Sequence, residues 1–465
     1  MGEVATKQKG YPIGFYICCI TYTFERFAFY GSKPLLVLFL LKSVAEGGLG
    51  IDAAQAAMIA TNLTAFTYIA PVIGGYISDH WLGARYAVSI GCVLMAIGYL
   101  FGWQAHSVAM VNMMIIVVSI GTGLFKGNLA AIIGRLFDDQ KQLDSAFSIQ
   151  YAFVNIGSFF GSSICGVLYI NQLAHGKELG FRPVFLICGI LILTGGILFT
   201  LCYGKLQGQG IKPFKFLTDT QGNVTGEVHK EKKEKSSAPL SLKEKKGVFA
   251  IVLVSFISVI FWLAYYQQDL ALTIYMDKFV NMNLGGFKLS PPLVSTSWNG
   301  LLCIFLSLAA AKLWSKLAKR PKGDLTMFQK VSLSFVFLGA SYLLLILMEV
   351  SRGVGAPASS KASVVWLLLF GLFLTFGEIC FSPLGNSFVS KYAPKKYLSL
   401  LMGVWTFATF LAAQINGQVQ GFVQKLGIMP IFVTFFALSV ICAVIMFLLN
   451  KPLNKLVQDD VAEKK

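Results

Sequence analysis

Five ionisable side chains lie inside long apolar runs of this sequence: Glu25, Arg26, Lys126, Asp269 and Glu378. A charge at the centre of a membrane helix costs about 2.5–3.5 kcal/mol on insertion scales. Together the five cost upward of roughly 10 kcal/mol, so they are expected to face a wet cavity or to pair with one another. The chemistry open to such a set is ion capture and proton exchange. An arginine can hold a carboxylate through two parallel hydrogen bonds. A carboxylate in apolar surroundings suits reversible protonation.

Spacing sharpens the reading. Tyr22, Glu25, Arg26, Phe29 and Tyr30 follow one another at i, i+3, i+4, i+7 and i+8, which places them on one helical face. That face is either a cavity wall or an aromatic packing stripe with a structural ion pair. Lys126 sits in GTGLFKGNLA, several residues from either end of its run, with Asn128 nearby. A snorkelling lysine belongs nearer an end, so a cavity lysine is expected. Glu378 is flanked by FG and ICFSP, and Asp269 by YYQQ and LAL. Asp269 is either a second cavity acid or a residue at a helix end.

These residues need helices to carry them, and about twelve runs are long enough to cross a bilayer. They cover 13–42, 51–78, 84–104, 109–135, 144–170 and 182–204, then 247–278, 293–317, 328–349, 363–390, 397–423 and 428–449. The composition agrees. Of the 465 residues, 55% are hydrophobic and 13% charged, with a mean hydropathy of +0.67. A soluble domain carries about 25% charged residues, so most of this surface is expected to meet lipid. The first run holds Glu25 and Arg26 and lacks a small-residue cleavage site, which reads as a membrane helix and not a signal peptide.

The net charge of +17 is concentrated in short polar segments between the apolar runs. That pattern is the positive-inside bias of a membrane protein, and no nucleic-acid partner is expected. Residues 205–246 are hydrophilic and include HKEKKEKSSAPLSLKEKK, which reads as a flexible basic linker. The basic connections fall on the same side as this linker and both termini, so all are expected in the cytoplasm. The layout is an N-terminal six-helix bundle (1–204), the linker (205–246) and a C-terminal six-helix bundle (247–465). The fold class is an all-α membrane protein, and two bundles rocking about a midplane site define the major facilitator fold.

The nine cysteines all lie in apolar runs, without CxxC pairs or nearby His, and read as small apolar residues. The four histidines, 80, 106, 175 and 229, fall in loops or at helix ends. No nucleophile elbow, phosphate loop or metal-ligand cluster is present, so no enzyme, cofactor or metal is expected. A non-transporting receptor has no use for five intramembrane charges.

The motifs resemble those of the proton-dependent oligopeptide transporters, a branch of the major facilitator superfamily. YTFERFAFYG, starting at Tyr22, looks like the ExxERFxYYG signature. YIAPVIGGYISDHWLGARY is similar to the family's loop motif, with Tyr68, Asp79, Gly83 and Arg85. GTGLFKGN resembles the fourth-helix motif with its lysine, Lys126, and QYAFVNIGS resembles FYxxINxGS, with Tyr151, Asn155 and Ser158. SWNG supplies Asn299, and FGEICFSPLGNSFVSKYAPKKYLSLLMGVW supplies Glu378, Ser382, Pro383 and Trp405.

The resemblance implies a proton-coupled symporter of di- and tripeptides working by alternating access. Arg26 and Lys126 would hold the peptide carboxylate. Glu378, with Asn155 and Asn299, would hold the amine. Tyr30 and Tyr68 would line the cavity, Ser382 would belong to the substrate-binding set, and Trp405 would shape a side-chain pocket. Glu25, Asp269 and Glu378 are the candidates for proton coupling, and Asp79 and Arg85 for the gating loop. The implied partners are small peptides, protons and the lipid bilayer. A monomer in a plasma membrane, of the bacterial inner type, is expected.

The chain departs from the pattern. Tyr22 stands where the signature has its first glutamate, Phe29 where it has a tyrosine, and Tyr265-Tyr266-Gln267 where the family has FEQ. Gly300 replaces a common proline. The alternative is a facilitator of the same fold for another peptide-like, amino-acid-derived or drug substrate, with altered or absent proton coupling.

Overall fold

The computed structural model describes residues 10–137, 140–213, 216–218, 224–227, 241–321, 324–382, 388–389, 392–394 and 397–458. Six long helices come first: α1 Ile13–Leu41, α2 Ala53–Ile77, α3 Ala84–Trp103, α4 Val108–Arg135, α5 Gln140–Leu168 and α6 Phe181–Leu201. Two short strands, β1 Phe216–Thr218 and β2 Val224–Glu227, pair antiparallel. Seven helices follow: α7 Leu242–Tyr265, α8 Ala271–Phe279, α9 Trp298–Ala318, α10 Met327–Arg352, α11 Val365–Phe381, α12 Leu398–Leu426 and α13 Ile428–Gln458. Small strands dress one end of the bundle: β3 Val280–Asn281 beside β6 Ala362–Ser363, and β4 Asn283–Leu284 beside β5 Phe287–Lys288.

Ten helical stretches among the described residues are long and apolar enough to cross a membrane, α7 and α8 sharing one of them. With the shorter apolar α11 and the 29-residue α1, the described residues form twelve long helical stretches. The outer surface suits lipid: Val72, Leu201, Phe256 and Phe447 are each at least 60% exposed.

Local signals set the helix ends. Asp52 caps α2 by accepting from the Ala54 and Gln55 amides. Ser107 caps α4. Capping boxes open α7 (Ser241 with Glu244) and α10 (Thr326 with Gln329). The box explains why α7 starts at Leu242, ahead of the apolar run at 247. The expected span 247–278 is broken by a 3-10 turn at Tyr266–Asp269, followed by Leu270 at φ −124°, ψ −89°. The stretch 205–246, read as a flexible linker, contains the β1–β2 pair, in keeping with the β-branched Val224 and Thr225. Much of that stretch, His229 included, lies outside the described residues, as does Pro383.

The apolar interior forms two clusters. One runs from Phe15 to Leu206 and takes in Leu270 and Ile274. The other runs from Ala250 to Leu453 and takes in Ala65. Glycines bring backbones together in the first. A Cβ on Gly157 or Gly161 of α5 would press on α1, at the Thr23 carbonyl or the Phe27 backbone. A Cβ on Gly157 would also meet the Arg26 Cβ at 2.9 Å. These small residues hold α1 against α5 with its charged face turned to the middle of the molecule.

The two halves touch along one end of the bundle, where the 42–52 and 280–292 connections lie. Ser297 donates to Ser162 at 2.8 Å, Gln424 to Asp52 at 2.7 Å and Gln414 to Asn62 at 3.3 Å. Thr61 donates to the Ala413 carbonyl at 2.5 Å. Gly417 of α12 packs on Thr61 and Met58 of α2.

Candidate functional site

The face predicted on α1 looks into a cavity of about 120 Å³ between the halves. Arg26, Tyr30, Tyr68, Lys126 and Asn155 reach it from the first half, and Asp269, Asn299 and Glu378 from the second. These eight site residues were singled out in the sequence, and Phe29, Tyr151 and Ser158 of the same motifs line the wall beside them. Glu25 stands directly behind Arg26, 1% exposed. Ser382 and Trp405 are not in the cavity wall; Trp405 stacks on Phe381 with ring centroids 6.1 Å apart. Asp79 lies in the Ser78–Leu82 turn at the far end of α2. Arg85 opens α3, where its guanidinium bonds Tyr86 at 2.7 Å and covers the Tyr203 ring.

The ionic groups of the cavity divide into two kinds. Arg26 grips Glu25 in bidentate fashion, Nε to Oε2 and Nη2 to Oε1. Its guanidinium also lies 4.9 Å from the Phe29 ring centroid and 5.6 Å from that of Tyr30. Lys33 meets Asp269 at 2.7 Å, and Asp269 also accepts from Thr296 at 3.0 Å. These are self-neutralising pairs. Lys126 and Glu378 are different: among the described residues neither has an ion-pair partner. Lys126 rests 5.0 Å from the Tyr68 ring centroid, a cation–π contact. Glu378 is held by neutral donors, Asn299 at 2.8 Å, Tyr265 at 3.0 Å and the Cys303 thiol at 3.5 Å. All three bonds fall on Oε2. The cavity therefore presents one cation from α4 and one carboxylate from α11 that no ion pair among the described residues compensates.

Aromatic hydroxyls tie the wall together. Tyr266 donates to Tyr68 across the halves at 2.8 Å. Tyr22 donates to the Lys126 carbonyl at 3.0 Å, so the residue at the departed glutamate position supports the lysine's own backbone. The Trp262 indole N–H lines the same cavity and is buried without an acceptor among the described residues.

Lys33 was not among the charges singled out in the sequence. Its signal was present: it sits seven residues after Arg26, two turns along the same face, inside the same apolar run. Further toward the closed end, Lys42 meets Asp277 at 2.7 Å and Glu46 at 3.5 Å. Burial works against the Lys42 charge, but the hydrogen bond and field of Asp277 outweigh it and raise the ammonium's pKa above the usual lysine value.

Spanning helices arranged about a charged central cavity define a multi-pass membrane transporter. The model of the Major Facilitator Superfamily matches residues 18–415, and the chain belongs to that superfamily. It is 26% identical to the uncharacterized transporter YclF of Bacillus subtilis, covering 97% of this chain and 96% of the relative. It is 24% identical to a di-/tripeptide transporter of Lactococcus lactis subsp. cremoris, covering 97% of each. The crystal structure of a peptide transporter POT in complex with sulfate superposes with a TM-score of 0.84 at 24% identity, over 97% of each chain. The motif resemblance to the proton-dependent oligopeptide transporters agrees with these likenesses.

Proposed function

We propose that this chain carries di- and tripeptides across a membrane by alternating access, as a member of the oligopeptide-transporter branch of its superfamily. The observation that carries the reading is the pair of charges, Lys126 and Glu378, that have no ion-pair partner among the described residues and stand on opposite halves of one cavity. A short peptide at neutral pH is a zwitterion. Its carboxylate suits Lys126, with Arg26 available once Glu25 is protonated or turns away. Its amine suits Glu378, with Asn299 and Asn155 beside it. A ligand held at both ends draws the halves together, and that links binding to rocking.

Proton coupling follows from the two neutral pairs. Protonation of Asp269 would release Lys33, and protonation of Glu25 would release Arg26. Either event loosens a contact that an incoming peptide or the opposite half can use. The boundaries 1–204, 205–246 and 247–465, cytoplasmic termini and linker, a plasma membrane of the bacterial inner type and a monomeric state belong to the same proposal. The basic connections and the positive-inside bias support the orientation.

A second reading keeps the fold and changes the cargo or the coupling. Tyr22 favours it, because this neutral hydroxyl occupies the position of an acid. The test is uptake of labelled dialanine into proteoliposomes, with and without an inward proton gradient. Accumulation driven by the gradient supports the symporter. Equilibration without accumulation keeps the peptide and removes the coupling. No movement under either condition overturns the peptide reading.

A further inference from the structure

A second cleft, of about 430 Å³, opens between the halves at the end where they touch, and it shares no lining residue with the central cavity. Its walls carry Lys42 and Lys177 from the first half and Lys288 and Lys361 from the second, against Glu46 and Asp277. The two acids are already engaged by Lys42. Lys361 donates its ammonium to the Lys278 carbonyl. Lys177 and Lys288 have no carboxylate partner among the described residues. Ser290 lines the same cleft at 1% exposure, and its hydroxyl has no hydrogen-bond partner among the described residues.

Both free lysines sit on structured supports. Lys177 lies in a loop closed by the His175–Glu178 bridge and tied to α1's end through Leu179 N–H and the Glu46 carbonyl at 3.0 Å. Lys288 ends the β4–β5 hairpin. A volume many times the roughly 30 Å³ share of a liquid water leaves room for a polyatomic ion.

We propose that this cleft binds a multivalent oxyanion of the phosphate type, which bridges Lys177 and Lys288 while this end of the molecule is closed. Lysines act as point charges for phosphate oxygens, and a single carboxylate would leave one of the two uncompensated. The lysines belong to different halves, so parting the halves at this end separates them. The anion therefore binds the closed arrangement more tightly, and by linkage it opposes opening. Binding itself is independent of the peptide reading; only the slowing of uptake rests on it.

The experiment follows thermal unfolding of the purified full chain in neutral detergent. Pyrophosphate is compared with sodium chloride at equal ionic strength, in the wild type and in the double variant Lys177→Gln/Lys288→Gln. Both lysines are exposed, and the variant is expected to melt with the wild type when no anion is added. Pyrophosphate is expected to raise the melting temperature of the wild type beyond the salt control, and the rise is lost in the variant. A parallel arm adds phosphatidic acid, whose headgroup is a phosphate monoester that can carry two negative charges, to the micelles. A lysine-dependent shift with the lipid alone supports the same chemistry and assigns its source to a headgroup. Shifts that match the salt control in both arms, or that persist in the variant, overturn the site. In proteoliposomes, pyrophosphate is expected to slow dialanine uptake several-fold in the wild type and not in the variant. A chain that moves no peptide yet keeps the lysine-dependent shift retains the anion site and loses the transport reading.

Discussion

Lys33 of α1 and Asp269 of the 3-10 turn after α7 form an ion pair of 2.7 Å that joins the two halves beside the central cavity. Both side chains are about nine-tenths buried. Breaking one partner of such a pair leaves an uncompensated charge, which costs about 3–5 kcal/mol, whereas removing both is far milder.

The first prediction follows from that asymmetry. Asp269→Asn and Lys33→Ala are each expected to lower the melting temperature of the purified protein. The double variant is expected to recover part of the loss, with a coupling of about 0.5–3 kcal/mol. Strict additivity would mean that the two side chains do not act as a pair. In transport, both single variants are expected to lose accumulation driven by the proton gradient before they lose exchange of peptide.

Lys126→Ala is expected to abolish peptide uptake at little cost in stability, since the lysine has no ion partner among the described residues to strand. Arg26→Ala is expected to abolish uptake and to destabilise as well, because it leaves buried Glu25 alone. Thermal unfolding beside uptake separates the two. Equal stability loss would contradict the distinction between Arg26, which is paired with Glu25, and Lys126, which has no ion pair among the described residues.

Glu378→Gln keeps hydrogen-bonding capacity toward Asn299 and Tyr265 and removes the charge. A bond to a charged group is worth about 1.5–3 kcal/mol, so affinity for a free-amine dipeptide is expected to fall by roughly ten- to hundredfold. N-acetylated peptides, which bring no ammonium, are expected to bind the variant and the wild type alike. Competition binding with both ligand classes checks this.

Gly161→Val tests how α1 is positioned. A Cβ there would press into the Phe27 backbone, and overpacking of this kind costs about 1–3 kcal/mol. The variant is expected to melt earlier and to bind peptide more weakly, because Arg26 and Tyr30 ride on the same helix. Unchanged melting would show that α1 and α5 tolerate separation.

The sequence made much of this legible. Charges cannot stand inside apolar runs without a reason, so Glu25, Arg26, Lys126, Asp269 and Glu378 announced themselves, and the structure brings four of them to the cavity wall with Glu25 just behind. The helices were legible for the same reason: long runs of apolar residues have few alternatives in lipid. What stayed hidden depended on pairing across the fold. Asp269 stands at a helix break, the 3-10 turn after α7, and it also lines the cavity and pairs with Lys33, which only the fold brings near it. Lys33 lies closer to the end of its run, where a snorkelling lysine is ordinary, and only its partner Asp269 marks it as a cavity residue. Trp405 carried a motif match, yet its ring stacks on Phe381 outside the cavity wall, a packing choice that spacing alone does not encode.

The central claim is that the cavity recognises both ends of a zwitterion, and calorimetric titration of the purified chain tests it most directly. Dialanine, N-acetyl-dialanine and dialanine amide are titrated under one condition. Binding of dialanine, with each blocked analogue weaker by roughly tenfold or more, is the result this account predicts for the loss of one charged contact. Equal affinity for all three, or binding of none, would contradict it.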